Sequence, residues 1–269
     1  MQGTYSMSSP WHLVRRKTTY AWSRVRRRFF TTHVIGSGHN AGKRIAVRRP
    51  NPAFIDGSYE ATIQNVIADN LYEGAVFYDV GANIGFFSLL ASPVVGPSGA
   101  VYAFEPVPSN AAAIRQTKRL NQLTNIQVFE EAVAQLPGRA DLMLTHHIGG
   151  ASLASSSPPR YVTKVIDVAV TTIDSVISER RLRPPTMVKI DVEGAELDVL
   201  HGMSETLTVY RPTILYEIDD ATQDGLAHKL GEAAQFLKAA GYRLIDLPPA
   251  YPDIPWKVAH VLALPIPKQ

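Results

Sequence analysis

Two periodicities alternate along this chain. Val76-Phe77-Tyr78, Ala100–Phe104, Ile126–Glu130, Met187–Asp191 and Thr213–Ile218 are short apolar runs bounded by glycine, proline or acidic residues, and they predict buried strands. Between them the period lengthens. Tyr59, Ile63, Val66, Ile67 and Leu71 mark one face of a helix opening at Ser58-Tyr59-Glu60. Phe86–Leu90 continues as a helix, and Pro108 sits at the first position of another that runs to Leu120. Ala195–Met203 and Asp224–Ala240 are helical too, the second with Leu226, Leu230, Ala233 and Leu237 on one face and Gly241 at its end. Tyr242–Leu247 and Val258–Leu264 predict a closing antiparallel pair. Alternation fails between about residues 137 and 172. There Asp141–Thr145 and Val162–Thr172 predict strands around a Gly/Ser-rich link, Gly149–Ser157, that reads as a loop. The fold expected is α/β, a doubly wound and mostly parallel sheet with an antiparallel C-terminal strand and a strand-rich insertion.

Ligands of such sheets bind at the carboxyl ends of the strands. The first strand ends on Asp79, and Gly81-Ala82-Asn83-Ile84-Gly85 turns the chain into the next helix. Glu105 ends the second strand, 24 residues beyond Gly81, where an acid accepts hydrogen bonds from ribose hydroxyls. A dinucleotide site uses G-x-G-x-x-G to hold a pyrophosphate. The spacing here is G-x-x-x-G, with a carboxylate two residues before the first glycine. That carboxylate repels a pyrophosphate and suits an ammonium group, which favours S-adenosylmethionine over NAD.

Composition adds an asymmetry. Residues 1–50 hold eleven Lys/Arg and no acid, whereas the remainder carries 16 Lys/Arg against 24 Asp/Glu. The expected division is therefore a basic N-terminal arm, residues 1–50, and an α/β domain, residues 51–269. Arginines interleaved with Trp11, Tyr20, Trp22, Phe29 and Phe30 suit a solvated arm, an interfacial segment on anionic lipid, or a transit peptide. No apolar h-region follows the arginines, which argues against a secretory or twin-arginine signal. The acidic domain argues against a nucleic-acid partner. No apolar stretch spans a bilayer, and with no cysteine there are no disulfides, thiolate nucleophiles or Cys-based zinc sites. The expected location is cytoplasmic, with peripheral membrane contact through the arm as an option.

A second acidic constellation follows. Asp191 ends a buried strand, Glu193 and Gly194 lead into the next helix, and an acid at the mouth of a buried strand needs a partner or a task. Glu196 suits the helix start. Strand alternation turns Glu217 and Asp219 to one face. Asp191, Glu217 and Asp219 are the candidate ligands for a divalent metal such as Mg²⁺, although carboxylates cluster without one more often than with one. His146 and His147, beside the Gly/Ser loop, are candidate bases, ahead of His201 and His228 on helices and His260 in the last strand.

The set Asp79–Gly85, Phe104-Glu105-Pro106, Thr172-Ile173-Asp174, Lys189–Glu196 and the Glu217 strand, in this order, resembles the FkbM family of S-adenosylmethionine-dependent methyltransferases, of class I Rossmann-like fold. Tyr59-Glu60 and Gly149-Gly150-Ala151-Ser152 share the likeness, which covers roughly residues 55–220. His260 departs from it, in a strand where asparagine is expected. The resemblance implies that Asp79, Gly81, Asn83 and Gly85 hold the methionine moiety, with Glu60 also on the cofactor side. It implies that Glu105 binds the ribose and that Glu131 and Ala132 meet adenine. It also implies that Asp191 and Glu193 border the transfer point, and that the acceptor is a small-molecule, glycan or lipid hydroxyl.

Two other functions compete. One is methylation of nitrogen in nucleic acid or protein; enzymes that methylate exocyclic base amines usually place an Asn/Asp-Pro-Pro-aromatic turn after the fourth strand, where this chain has Asp191-Val192-Glu193-Gly194. A non-catalytic module that binds the nucleoside and docks through its arm is disfavoured by the intact acids of the loop.

Overall fold

The computed structural model describes residues 30–48, 51–145, 151–153, 162–250 and 257–267. Residues 1–29, which hold most of the basic arm, lie outside them, as do His146, His147 and most of the Gly/Ser link. A seven-stranded sheet forms the centre. Its strands are β3 (Val76–Val80), β4 (Ala100–Phe104), β5 (Ile126–Phe129), β10 (Met187–Ile190), β11 (Thr213–Asp220), β12 (Tyr242–Asp246) and β13 (Lys257–Pro265). Their order across the sheet is β12-β13-β11-β10-β3-β4-β5. All neighbours from β5 to β11 run parallel, and β13 lies antiparallel to both β11 and β12. The chain reverses its winding direction between β3 and β10, the switch point at which doubly wound sheets bind ligands.

Alternation along the strands builds two cores. Phe77, Met187, Leu215 and Leu262 face α2 (Ala61–Asn70), α3 (Phe86–Val95) and α4 (Pro108–Leu120). Tyr78, Val188, Ile190 and Tyr216 face α5 (Ile173–Ser178), α6 (Glu196–His201), α7 (Ser204–Val209) and α8 (Gln223–Ala239). Helix starts are set by short polar side chains. Thr222 accepts from Gly225 N at 3.0 Å, and Thr172 and Ser175 close a capping box around α5. The Asp174 carboxylate reaches across to the start of α7 and accepts from Glu205 N, Thr206 N and Thr206 Oγ1 at 3.0, 2.8 and 2.6 Å.

The insertion is a four-stranded sheet of β6 (Glu131–Val133), β7 (Gly138–Thr145), β8 (Ala151–Leu153) and β9 (Val162–Thr171), in the order β6-β9-β7-β8. Residues 30–48, expected within the arm, instead form a hairpin on the domain, β1 (Thr31–Val34) paired antiparallel with β2 (Arg44–Val47). Ile35, Ile45 and Val47 are buried, Ala46 N donates to Thr117 Oγ1 at 3.0 Å, and Asn40 Nδ2 donates to the Phe86 carbonyl at 2.9 Å. A short helix, α1 (Pro52–Asp56), follows with Asn51 as its cap. Among the described residues no helix is long and apolar enough to cross a membrane.

Candidate functional site

The loop from β3 to α3 carries three left-handed residues, Gly81 at φ 78, Asn83 at φ 49 and Gly85 at φ 80. Gly81 is held to glycine by its neighbour: a Cβ there would lie 1.7 Å from the Asp191 carbonyl oxygen. The loops that follow β3 and β10 therefore touch backbone to backbone. Gly81 N and Ala82 N both donate to the Phe104 carbonyl at 3.0 Å, which ties the loop to the end of β4.

Glu105 completes this corner. Its Oε2 accepts from Asn83 N and its Oε1 from Val107 N, both at 2.8 Å, with Asn110 Nδ2 at 3.4 Å. The carboxyl is almost fully buried, and burial pushes its pKa up to about 8 against the pull of those donors. Each carboxylate oxygen retains acceptor capacity beyond these bonds. Asp79 lies deeper than expected. It projects to the α3 side of β3 and is fully enclosed, so its carboxylate does not stand at the open face of the loop. Oδ2 accepts from Ser88 Oγ at 2.6 Å, while Oδ1 is buried with no hydrogen-bond partner. Burial raises the Asp79 pKa, and Lys189 opposes that rise.

Lys189 was not singled out in the sequence, although a lysine between Val188 and Ile190 in a buried strand demands counter-charges. It pairs in register with Asp79, donates to Asp191 Oδ2 at 2.8 Å, and lies 4.9 Å from the centre of the Phe87 ring. Burial alone would lower its pKa, but Asp191, Asp79 and Glu60 outweigh this and raise it. The ammonium is thus fixed as a cation inside a group of acids.

Beyond Asp191, the chain turns through Glu193 at φ 54 and Gly194 at φ 97. Glu196 closes that turn by accepting from Gly194 N at 2.8 Å; burial pushes its pKa up to about 7. Glu193 is pushed up to about 9, by burial first and then by Asp191, Asp219 and Glu217. Burial, with Asp191 and Glu60, also raises Glu217 well above the usual carboxylate range.

The metal candidates regroup. Asp191 is engaged by Lys189, and Asp219 sits beside Lys229, whose Nζ donates to the Asp219 carbonyl at 2.8 Å. Among the described residues, the three potential ligands that converge are Glu60, Glu217 and His260. The antiparallel register sets His260 directly opposite Glu217, so the histidine that departs from the family pattern enters the site. Its signal in the sequence was strand alternation, legible only once the partner strand is known.

Glu131, expected at adenine, lies in β6 of the insertion sheet and pairs with Arg180 through contacts of 2.6 and 3.0 Å. Ala132 is buried with Val107 and Ala195, and a meeting with adenine there would involve backbone. His146 and His147 lie outside the described residues.

The corner fits S-adenosylmethionine: an orphaned buried carboxylate oxygen at Asp79, a loop in left-handed backbone, and Glu105 fixed by two backbone amides with acceptor capacity to spare. Residues 79–244 match the family model described as Methyltransferase FkbM domain, over more than half of the chain. A 31-O-demethyl-FK506 methyltransferase FkbM from Streptomyces tacrolimicus is 26% identical over 238 residues, covering 74% of this chain and 89% of its own. A 2-O-methyltransferase NoeI from Sinorhizobium fredii is 30% identical over 154 residues, covering 51% of this chain and 60% of its own. Among solved structures, wild-type Trm5b from Pyrococcus abyssi gives a TM-score of 0.51 at 13% identity, over 87% of this chain and 55% of that one, a likeness of fold alone.

Proposed function

The chain belongs to the FkbM family of S-adenosylmethionine-dependent methyltransferases, and from that premise we propose that it methylates a hydroxyl oxygen of a sugar, glycolipid or natural product. Gly81, Asn83 and Gly85 hold the methionine end of the donor, Asp79 contributes its charge from beneath the loop, and Glu105 accepts from the ribose hydroxyls. When bound, S-adenosylmethionine supplies an electrophilic methyl group on a sulfonium that is already a good leaving group. The protein has only to align an acceptor oxygen with the S–CH₃ bond and remove its proton.

The observation that carries this reading is the backbone contact between Gly81 and Asp191. It sets Asp191 against the glycine loop, with Glu193 two residues further on. Asp191, anchored by Lys189, would orient the acceptor hydroxyl, and Glu193 in its ionised form would take the hydroxyl proton. The positive charge of a bound donor would favour that ionised form against the burial and like charges that raise the Glu193 pKa. The names of two relatives, an FK506 methyltransferase and a 2-O-methyltransferase, support oxygen as the acceptor.

The test is incubation of the full chain with labelled S-adenosylmethionine and panels of glycan, glycolipid and polyketide acceptors. Mass spectrometry and NMR then place the added methyl. A methyl on oxygen, with turnover lost in Glu193→Gln while donor affinity is kept, is the expected outcome. A methyl on nitrogen, or donor binding without turnover on any acceptor, would overturn it.

A further inference from the structure

The buried face of the sheet that meets α2 carries more acid than base. Buried Asp79, Lys189 and His260 and half-buried Glu217 lie in its strands, with buried Glu60 just before α2 and half-buried Asp191 just past β10. Lys189 is bonded to Asp191 and lies over the Phe87 ring, and its charge also acts on Glu60 and Glu217. Glu60 and Glu217 both approach His260. Their potential ligand atoms all lie within 4.8 Å of one another. His260 Nε2 is 2.5 Å from Glu217 Oε2 and 3.9 Å from Glu60 Oε2. Three separate elements deliver them: the residue before α2, the end of β11, and β13 opposite it in register.

We propose that Glu60, Glu217 and His260 form a binding site for one divalent transition-metal ion of the manganese or zinc class. An ion with bonds of about 2.1 Å places its ligand atoms about 3 to 4 Å apart, the middle of the spread seen here. Closure therefore needs side-chain adjustment and no backbone movement. Two carboxylate oxygens and an imidazole nitrogen suit manganese, iron or zinc better than calcium or magnesium, which prefer all-oxygen sets. Three protein ligands leave coordination positions open. Glu217 lies one residue past the Ile190–Tyr216 pair and is thus level with Asp191, so the ion would stand at the same end of the sheet as the methyl-transfer residues. The site depends on side-chain convergence alone and not on which acceptor is methylated.

The experiment is titration of the purified full chain with Mn²⁺, followed by electron paramagnetic resonance, on wild type, Glu217→Gln, Glu60→Gln and His260→Asn. Circular dichroism and melting in chelator establish that each variant is folded, and the two Gln isosteres keep the test open if His260→Asn is not. One Mn²⁺ per chain, displaced by Zn²⁺ and weakened about tenfold or more in each folded variant, is the expected result. Asp220→Asn, at a half-buried acid that pairs with Lys229 outside the site, should bind as wild type does. Absence of bound Mn²⁺, or binding indifferent to Glu217→Gln and Glu60→Gln, would overturn the site. S-adenosylmethionine affinity measured in chelator separates this failure from a failure of the methyltransferase reading.

Discussion

Replacement of Gly81 by alanine tests the corner on which the site is built. The added methyl would sit 1.7 Å from the Asp191 carbonyl oxygen and 2.8 Å from its carbon. Ordinary contact would require a retreat of roughly 1.5 Å or more. Neither side can yield easily. Gly81 N is bonded to Phe104 O, and Asp191 N to Val80 O, so both loops are continuous with the ladders of β3, β4 and β10. The left-handed φ of 78 adds about 1–2 kcal/mol for a residue with a Cβ. Overpacking of this kind adds about 1–3 kcal/mol, giving a loss of about 2–5 kcal/mol. For a domain of this size that lowers the melting temperature by about 5–15 °C. Because the displaced residues line the proposed donor site, affinity for S-adenosylmethionine should fall further than stability alone explains. Urea titration and calorimetry on the same preparation would measure both. A Gly81→Ala protein with wild-type melting and wild-type donor affinity would refute the argument.

Three further outcomes follow from the contacts described. Asp174→Ala removes the acceptor for Glu205 N and Thr206 N at the start of α7 and should cost about 1–2 kcal/mol in denaturant with donor affinity unchanged; lost affinity would mean that this motif serves the site directly. Lys189→Met leaves buried carboxylates without their cation and should destabilise by about 3–5 kcal/mol, so a neutral or stabilised variant would show the acids to be protonated throughout. Burial raises Glu105 to about 8 and Glu196 to about 7. Carboxyls raised in the fold contribute stability that is complete below their unfolded pKa of about 4.3 and is lost as pH rises through the folded values. The unliganded chain should therefore melt lower at about pH 8 than at about pH 5, with a shallower slope in Glu196→Gln; stability that rises over this window would contradict the assignment. Lys43, lowered to about 8 by burial, titrates in the opposite sense only above that window.

Strands β4 and β10 and helix α4 were legible because their apolar period, their proline and their flanking acids all agree on one element. The hairpin β1–β2 was not, since Thr31–Val34 is too short to show a period and is largely exposed; its partner β2 is buried by contacts with α4 that no local pattern reveals. Helix α7 was missed for a similar reason: its start is capped by Asp174, about thirty residues earlier in the chain. In the site, Gly81, Glu105 and Asp191 could be found from spacing, because strand ends and glycine turns are local facts. The joining of Glu60 and His260 to Glu217 depends on strand order and on the antiparallel entry of β13, and those are global. Asp79 illustrates the middle case: its place at the strand end and, by alternation with Phe77, the face it turns to are readable, but its partners Ser88 and Lys189 are not.

Titration calorimetry of S-adenosylmethionine into the full chain and into Glu105→Gln reaches the central claim most directly. The substitution puts an amide NH2 where one carboxyl oxygen accepts from Asn83 N or Val107 N, leaving a buried backbone donor unpaired, a change of about 1–3 kcal/mol. One donor site per chain, weakened about 10- to 100-fold in the variant and silent to NADH, is the predicted result. Absence of donor binding in the wild type, or equal affinity in the two proteins, would contradict it.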